Sequence, residues 1–164
     1  MTLLIMGTVT AFLFRHYEPL IQQASIFAIF ITLITGTAGN TGTQSLAVAI
    51  RKIGLHEEEQ SFWKVLVQEG TTGLGIGLIS GVVVFGIVSL WQGSLVLGGI
   101  IGFAMFASIF VAALTGTCIP FALEKFNFDP SIASGPFITT VNDLTSVLVY
   151  FTIVSQFISV YLAK

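Results

Sequence analysis

The chain has little of what a water-exposed protein needs. Of its 164 residues only 9% are charged, six basic and eight acidic, against roughly a quarter in ordinary soluble domains. So few charges cannot wet a globule of this size, and lipid must solvate most of the surface. There is one cysteine, Cys118, which excludes an internal disulfide framework and any cysteine-rich zinc site. The two histidines, His16 and His56, lie far apart in polar stretches, which reads against a histidine-based metalloenzyme. A net charge of -2 excludes the basic surface that binding to nucleic acid requires.

What the chain does have is apolar length. It is 54% hydrophobic, with a mean hydropathy of +0.96. The few charges are clustered, and the gaps between clusters match membrane crossings of about 20 residues. Pro19 to Ile50 carries no charge, nor does Gly70 to Leu123, and Pro130 to Ala163 carries only Asp143. The turn-like Trp91-Gln92-Gly93-Ser94 divides the second stretch, with a tryptophan of the kind that sits at a membrane interface. Met1 to Phe14 is apolar but short, and lacks the basic start and small-residue cleavage site of a signal peptide. The pattern predicts an all-α integral membrane protein with five transmembrane helices, at about 1–15, 20–50, 70–91, 94–123 and 130–162.

The polar connection Arg51–Glu69 places Phe62, Trp63, Leu66 and Val67 at helical spacing, which predicts a short amphipathic helix lying in the interface. Arg51, Lys52, Lys64 and Lys125 fall on one side of the membrane, and only Arg15 and Lys164 on the other. The positive-inside rule then places 51–69 and 124–129 in the cytoplasm and the C-terminus outside, in a cell inner (plasma) membrane. No linker, low-complexity tract or repeat divides the chain, and an odd number of helices argues against a simple inverted repeat.

Three features stand out against the apolar background. Gly73, Gly77 and Gly81 are spaced by four, as are Gly98 and Gly102, so they allow helix backbones to approach closely. Packing within one subunit and a seam between two both fit that spacing. Gly36-Thr-Ala-Gly39-Asn40-Thr-Gly42-Thr-Gln44 lies in mid-span, where glycines and amides are costly against lipid. Such a segment needs protein or a watery cavity around it. Its exposed carbonyls would suit a hydrated cation, although a kinked helix glued to a neighbour by its amides also fits. Asp143 is the third feature and the only ionisable side chain inside a span, with no lysine or arginine at comparable depth. It must be protonated and hydrogen-bonded, hold a cation, or face a watery pore. Thr139, Thr140, Ser146 and Val147 share its helical face, and Asn142 adjoins it. Asp129-Pro130 reads as a helix start. Glu57, Glu58 and Glu59 read as a solvated cytoplasmic face, with weak divalent binding as the alternative role.

GTAGNTGTQSLAVAIR (36–51) and FDPSIASGPFITTVNDLTSVLVYF (128–151) resemble the membrane domain of the MgtE magnesium channels and transporters. Nearly the whole chain fits that layout, as one transmembrane pore domain over 1–164. Two departures are the pair Ala38-Gly39, where the family usually has two glycines, and the absence of the family's cytosolic N-terminal and CBS domains. The resemblance implies a homodimer with its pore on the two-fold axis, lined by helices 20–50 and 130–162. It also implies that Asp143 is the pore aspartate holding hydrated Mg2+, with Gly36, Gly39, Asn40, Thr139 and Thr140 lining the pore. Mn2+, Co2+ and Ca2+ are candidate substitutes, since a site acting through water reads charge and hydrated size. The expected function is thus a divalent-cation channel and not an enzyme. The alternative is a carrier exchanging the cation for protons or sodium at Asp143.

Overall fold

Inside a bilayer a backbone must satisfy its own N–H and C=O groups, and among the described residues the apolar stretches accordingly fold mainly as α-helices. The computed structural model describes residues 2–18, 25–55, 61–133 and 136–162. Its helices are α1 (Thr2–His16), α2 (Ile26–Gly54), α3 (Phe62–Gln92), α4 (Leu95–Lys125) and α5 (Pro136–Leu162), with a 3-10 turn, Pro130–Ala133, before the last. Glu57, Glu58 and Glu59 lie outside the described residues.

Among the described residues four helical stretches are long and apolar enough to cross a membrane: Ile26–Gly54, Phe62–Gln92, Leu95–Lys125 and Phe137–Ile158. The expected fifth crossing is not among them. At 15 residues, α1 rises only about 22 Å, short of a hydrocarbon core of about 30 Å. The separate interfacial helix also gives way, because Phe62 to Glu69 forms the first two turns of α3. The reason is packing. Phe62 meets Phe121 of α4 edge-on at 5.3 Å and Val65 and Glu69 are buried, so the segment runs up the side of α4 instead of lying flat. The turn between α3 and α4 falls where the sequence places it. Gly93 takes the left-handed conformation at φ 64°, and the Ser94 side chain accepts from Leu97 N at 3.3 Å as an N-cap.

The last helix starts later than the Asp129-Pro130 signal predicts. Asp129 Oδ1 accepts from Ser131 N at 2.8 Å, and this caps the 3-10 turn only. The same N–H holds the Asp129 carboxyl below the usual carboxylate range. Pro136 then opens α5, at a position where a missing N–H costs nothing.

The bundle is organised around α4, which packs against α2, α3 and α5. Its Ile101, Ile109, Ala112 and Ala113 are fully buried, as are Phe27 and Ile34 of α2 and Tyr150 and Phe151 of α5. The glycine spacing is used between α3 and α4. A Cβ built on Gly81 would lie 2.7 Å from Gly102 O, and one on Gly102 equally close to Gly81 O. Gly73 meets Ala113 and Gly77 meets the Phe106 carbonyl in the same way. Within one subunit these glycines therefore make the close helix pair, the first of the two roles their spacing allowed.

Side-chain contacts define the two ends of the bundle. At one end Lys52 Nζ donates to Gln68 Oε1 at 2.7 Å, joining the end of α2 to the start of α3. The Phe62–Phe121 contact brings the end of α4 to the same place, so Arg51, Lys52, Lys64 and Lys125 gather there. At the other end the Tyr150 hydroxyl donates to Phe27 O at 2.6 Å. There Tyr17 stacks on Phe151 at 4.7 Å and Trp91 meets Phe30 at 6.3 Å.

Candidate functional site

The two unusual segments of the sequence come together in space. On α2 the stretch from Gly36 to Gln44 is part of one continuous α-helix, Ile26–Gly54, within the single helix that the sequence predicts over 20–50. The hydroxyls of Thr37, Thr41 and Thr43 bond back to Leu33 O, Thr37 O and Gly39 O at 2.8, 3.0 and 2.8 Å. Those carbonyls are therefore engaged within the helix, and the glycines act by letting other helices close in.

Each glycine of the segment has a different surrounding. Gly39 is buried against α5, where a Cβ would lie 2.8 Å from Asp143 Oδ1. Gly42 is buried where three helices meet. A Cβ there would collide with the Asn142 amide nitrogen and lie 2.9 Å from Ala112 O. From the other side, a Cβ on Gly116 of α4 would run into the Gly42 carbonyl. Gly36, by contrast, has nothing within 4 Å of its Cβ position and is exposed.

Gly36, Asn40 and Gln44 are all exposed and recur every four residues, so they form one stripe along α2, about 12 Å long at 1.5 Å per residue. Asp143 is exposed beside this stripe, across Gly39. Thr139 and Thr140 are half-buried one turn before it. The face expected from the sequence divides, however. Ser146 and Val147 turn inward with Asn142, and the Ser146 hydroxyl donates to Asn142 O at 2.7 Å.

The structure thus brings Gly36, Gly39, Asn40, Thr139, Thr140 and Asp143 to one face formed by α2 and α5. Among the described residues no group of three or more histidine, cysteine or acidic side chains could hold a metal, and Asp143 is the one acidic residue in α2 and α5. Two buried polar residues carry more than sequence reading gave them. Asn142 is enclosed completely, which only its place as an amide in an apolar helix signals. Glu69, within the polar connection by sequence, is buried on α3.

Residues 31–153, which contain both segments, match the family model MgtE, described as a divalent cation transporter. The chain belongs to the MgtE family. It is 52% identical over 157 residues to a magnesium transporter MgtE of Enterococcus faecalis, covering 95% of this chain and 35% of that protein. Against the magnesium transporter MgtE of Bacillus subtilis it is 38% identical over 159 residues, or 95% of this chain and 35% of the other. Against that of Thermus thermophilus it is 30% identical over 152 residues, or 92% and 34%. The chain therefore spans about a third of the length of these curated relatives. Family and helices together make it a multi-pass membrane protein, and the MgtE match covers the whole of the polar α2–α5 face.

Proposed function

We propose that the chain is the pore-forming part of a magnesium transporter, in which two copies meet across the open faces of α2 and α5 and hydrated Mg2+ passes between them. One observation carries the reading: Asp143 and Asn40 are exposed beside the open Gly36 on helices long enough to span a membrane. An aspartate facing lipid at the centre of a span costs about 2.5–3.5 kcal/mol. A second copy of the same face, enclosing water, removes that cost. Two facing carboxylates repel each other, and a divalent cation between them turns the repulsion into binding.

Magnesium gives up its waters reluctantly and is usually held through them by one or two carboxylates. Asp143 of each copy therefore binds the ion through water, and the Asn40 amide and the Thr139 and Thr140 hydroxyls complete the outer shell. Gly36 keeps the passage wide enough for a hydrated ion, and the buried Gly39 leaves room for the Asp143 carboxylate beside it. A divalent charge gains about 4.6 kcal/mol per 100 mV of inward potential, so voltage alone can drive uptake. The names of the relatives support magnesium as the cargo. In proteoliposomes carrying this chain, an inside-negative potential should drive Mg2+ uptake with no sodium or proton gradient. Uptake that stops when those gradients are collapsed at fixed voltage would identify an exchanger instead.

The sidedness follows from charge. The end carrying Arg51, Lys52, Lys64 and Lys125 faces the cytoplasm of the plasma membrane. In a Cys118→Ser background, single cysteines at 125–128 should react with an impermeant thiol reagent only from the cytoplasmic side, and those at 91–94 only from outside. Labelling in the opposite sense would invert the orientation and the direction of uptake.

A further inference from the structure

Asn142 precedes Asp143 in sequence but points the other way. Successive residues on an α-helix are turned by about 100°, so while Asp143 lies on the open face, Asn142 is fully buried at 0% exposure. Thr115 Oγ1 of α4 lies 3.1 Å from Asn142 Oδ1, and its one proton is shared among that oxygen and Val111 O and Ala112 O of its own helix, at 3.0 and 3.1 Å. On the other side the amide nitrogen presses on Gly42 of α2, close enough to exclude a Cβ there. Gly42 in turn touches Gly116, the residue after Thr115. At this point three helices meet almost backbone to backbone, with the Asn142 amide wedged between them.

Stability does not account for an amide in that place. A buried polar group costs free energy unless all its hydrogen bonds are made, and among the described residues the Asn142 amide nitrogen has no hydrogen-bond partner. Leucine has a similar volume and carries no such cost. A buried polar group retained at that cost serves best to fix register, since its partners accept only one alignment. The alignment it fixes is local to the proposed ion site. Gly39 lies three residues before Gly42, Asp143 directly follows Asn142, and a Cβ on Gly39 would already lie 2.8 Å from Asp143 Oδ1.

The geometry points to Asn142 as a positioning residue: its amide, keyed between Gly42 and the Thr115 hydroxyl, sets the height and rotation of α5 against α2, and so the gap across which paired Asp143 carboxylates select a hydrated cation by size. The inference rests on the pore reading above. A sliding or rotated α5 would still present a carboxylate, so transport would persist while discrimination between Mg2+ and the larger, more readily dehydrated Ca2+ would relax.

The test is made on the whole chain in proteoliposomes, with Mg2+ and Ca2+ as probes and thermal stability measured alongside. Thr115→Val removes the donor at nearly constant volume, and Thr115→Ser keeps it. Asn142→Leu removes the amide. Thr115→Val should lower the Mg2+/Ca2+ flux ratio at least tenfold with little change in melting temperature, and Thr115→Ser should keep the parent ratio. Asn142→Leu, where it folds, should match Thr115→Val. A ratio within twofold of the parent in Thr115→Val, or a Thr115→Ser variant as unselective as Thr115→Val, overturns the inference even if Asn142→Leu fails to fold. Asp143→Asn, run in parallel, separates the two levels. Lost flux there together with an unmoved ratio in Thr115→Val refutes the positioning role alone, whereas undiminished flux in Asp143→Asn refutes the pore reading beneath it.

Discussion

Asp143→Asn should abolish magnesium-driven uptake while leaving a folded, correctly inserted protein. The substitution keeps the size and much of the hydrogen-bonding capacity of the side chain, and takes two negative charges from the proposed dimeric pore. Asp143 is exposed on α5 and, among the described residues, no neighbouring helix of the same subunit is held by its charge, so little folding energy depends on it. An amide at that depth is also cheaper to accommodate than a carboxylate without a counter-ion. Binding responds quite differently. If the carboxylate pair contributes even about 3 kcal/mol to holding the ion, its loss weakens affinity by more than a hundredfold. Mg2+ uptake and melting temperature measured on the same preparation decide the matter. Uptake at the parental level would end the assignment of Asp143 to the ion pathway. A fall in melting temperature with uptake intact would make it a structural residue.

Gly116→Val and Gly36→Val should have opposite effects, although both replace a glycine in a helix of the same bundle. Helix propensity alone makes either change slightly favourable, by a few tenths of a kcal/mol, so a large loss must come from packing. A Cβ on Gly116 would lie 2.9 Å from the Gly42 carbonyl carbon and 3.1 Å from Gly42 Cα. Those atoms are backbone and cannot swing aside, so α2 and α4 must separate. Overpacking of this kind typically costs 1–3 kcal/mol and at times more. Here the disturbance also reaches Asn142 and α5, so Gly116→Val should yield little monodisperse protein from detergent. Gly36 has open space around it, so Gly36→Val should leave the melting temperature within a few degrees of the parent and cut Mg2+ flux at least tenfold by narrowing the passage. Size-exclusion chromatography with the flux assay reads both outcomes. A stable Gly116→Val would contradict the close three-helix contact, and full flux in Gly36→Val would remove α2 from the pathway.

Much of this molecule was legible before any coordinates. The lack of charge decided the solvent, the charge-free lengths decided the helices, and Gly93-Ser94 decided where α3 turns into α4. These are local or compositional effects, and lipid makes them strict, because a backbone in hydrocarbon has few alternatives to a helix. Asp143 and the Gly36–Gln44 segment could be picked out for the same reason, since each is costly where it lies unless something surrounds it. The sequence went astray where long-range contact overrode local pattern. Phe62 to Glu69 has the spacing of an interfacial helix, yet Phe121, far away in sequence, draws it into α3. The glycines of α2 read as costly against lipid, and only the packing shows that α4 and α5 fill the space Gly39 and Gly42 leave.

Only the tertiary structure could divide the polar residues of α5 between two roles. Asn142 and Asp143 are neighbours of nearly equal size, and periodicity gives their relative direction but not which of the two faces the bundle. Gly42, Thr115 and Gly116 decide it, by leaving a slot that an amide fills at the meeting of three helices. With Asn142 turned inward, the 100° step of the helix puts Asp143 beside Gly39 on the open face. Composition determined that this chain lives in lipid and that a carboxylate in it needs a partner. The packing of three backbones determined where that carboxylate points, because direction depends on contacts between residues that the sequence places far apart.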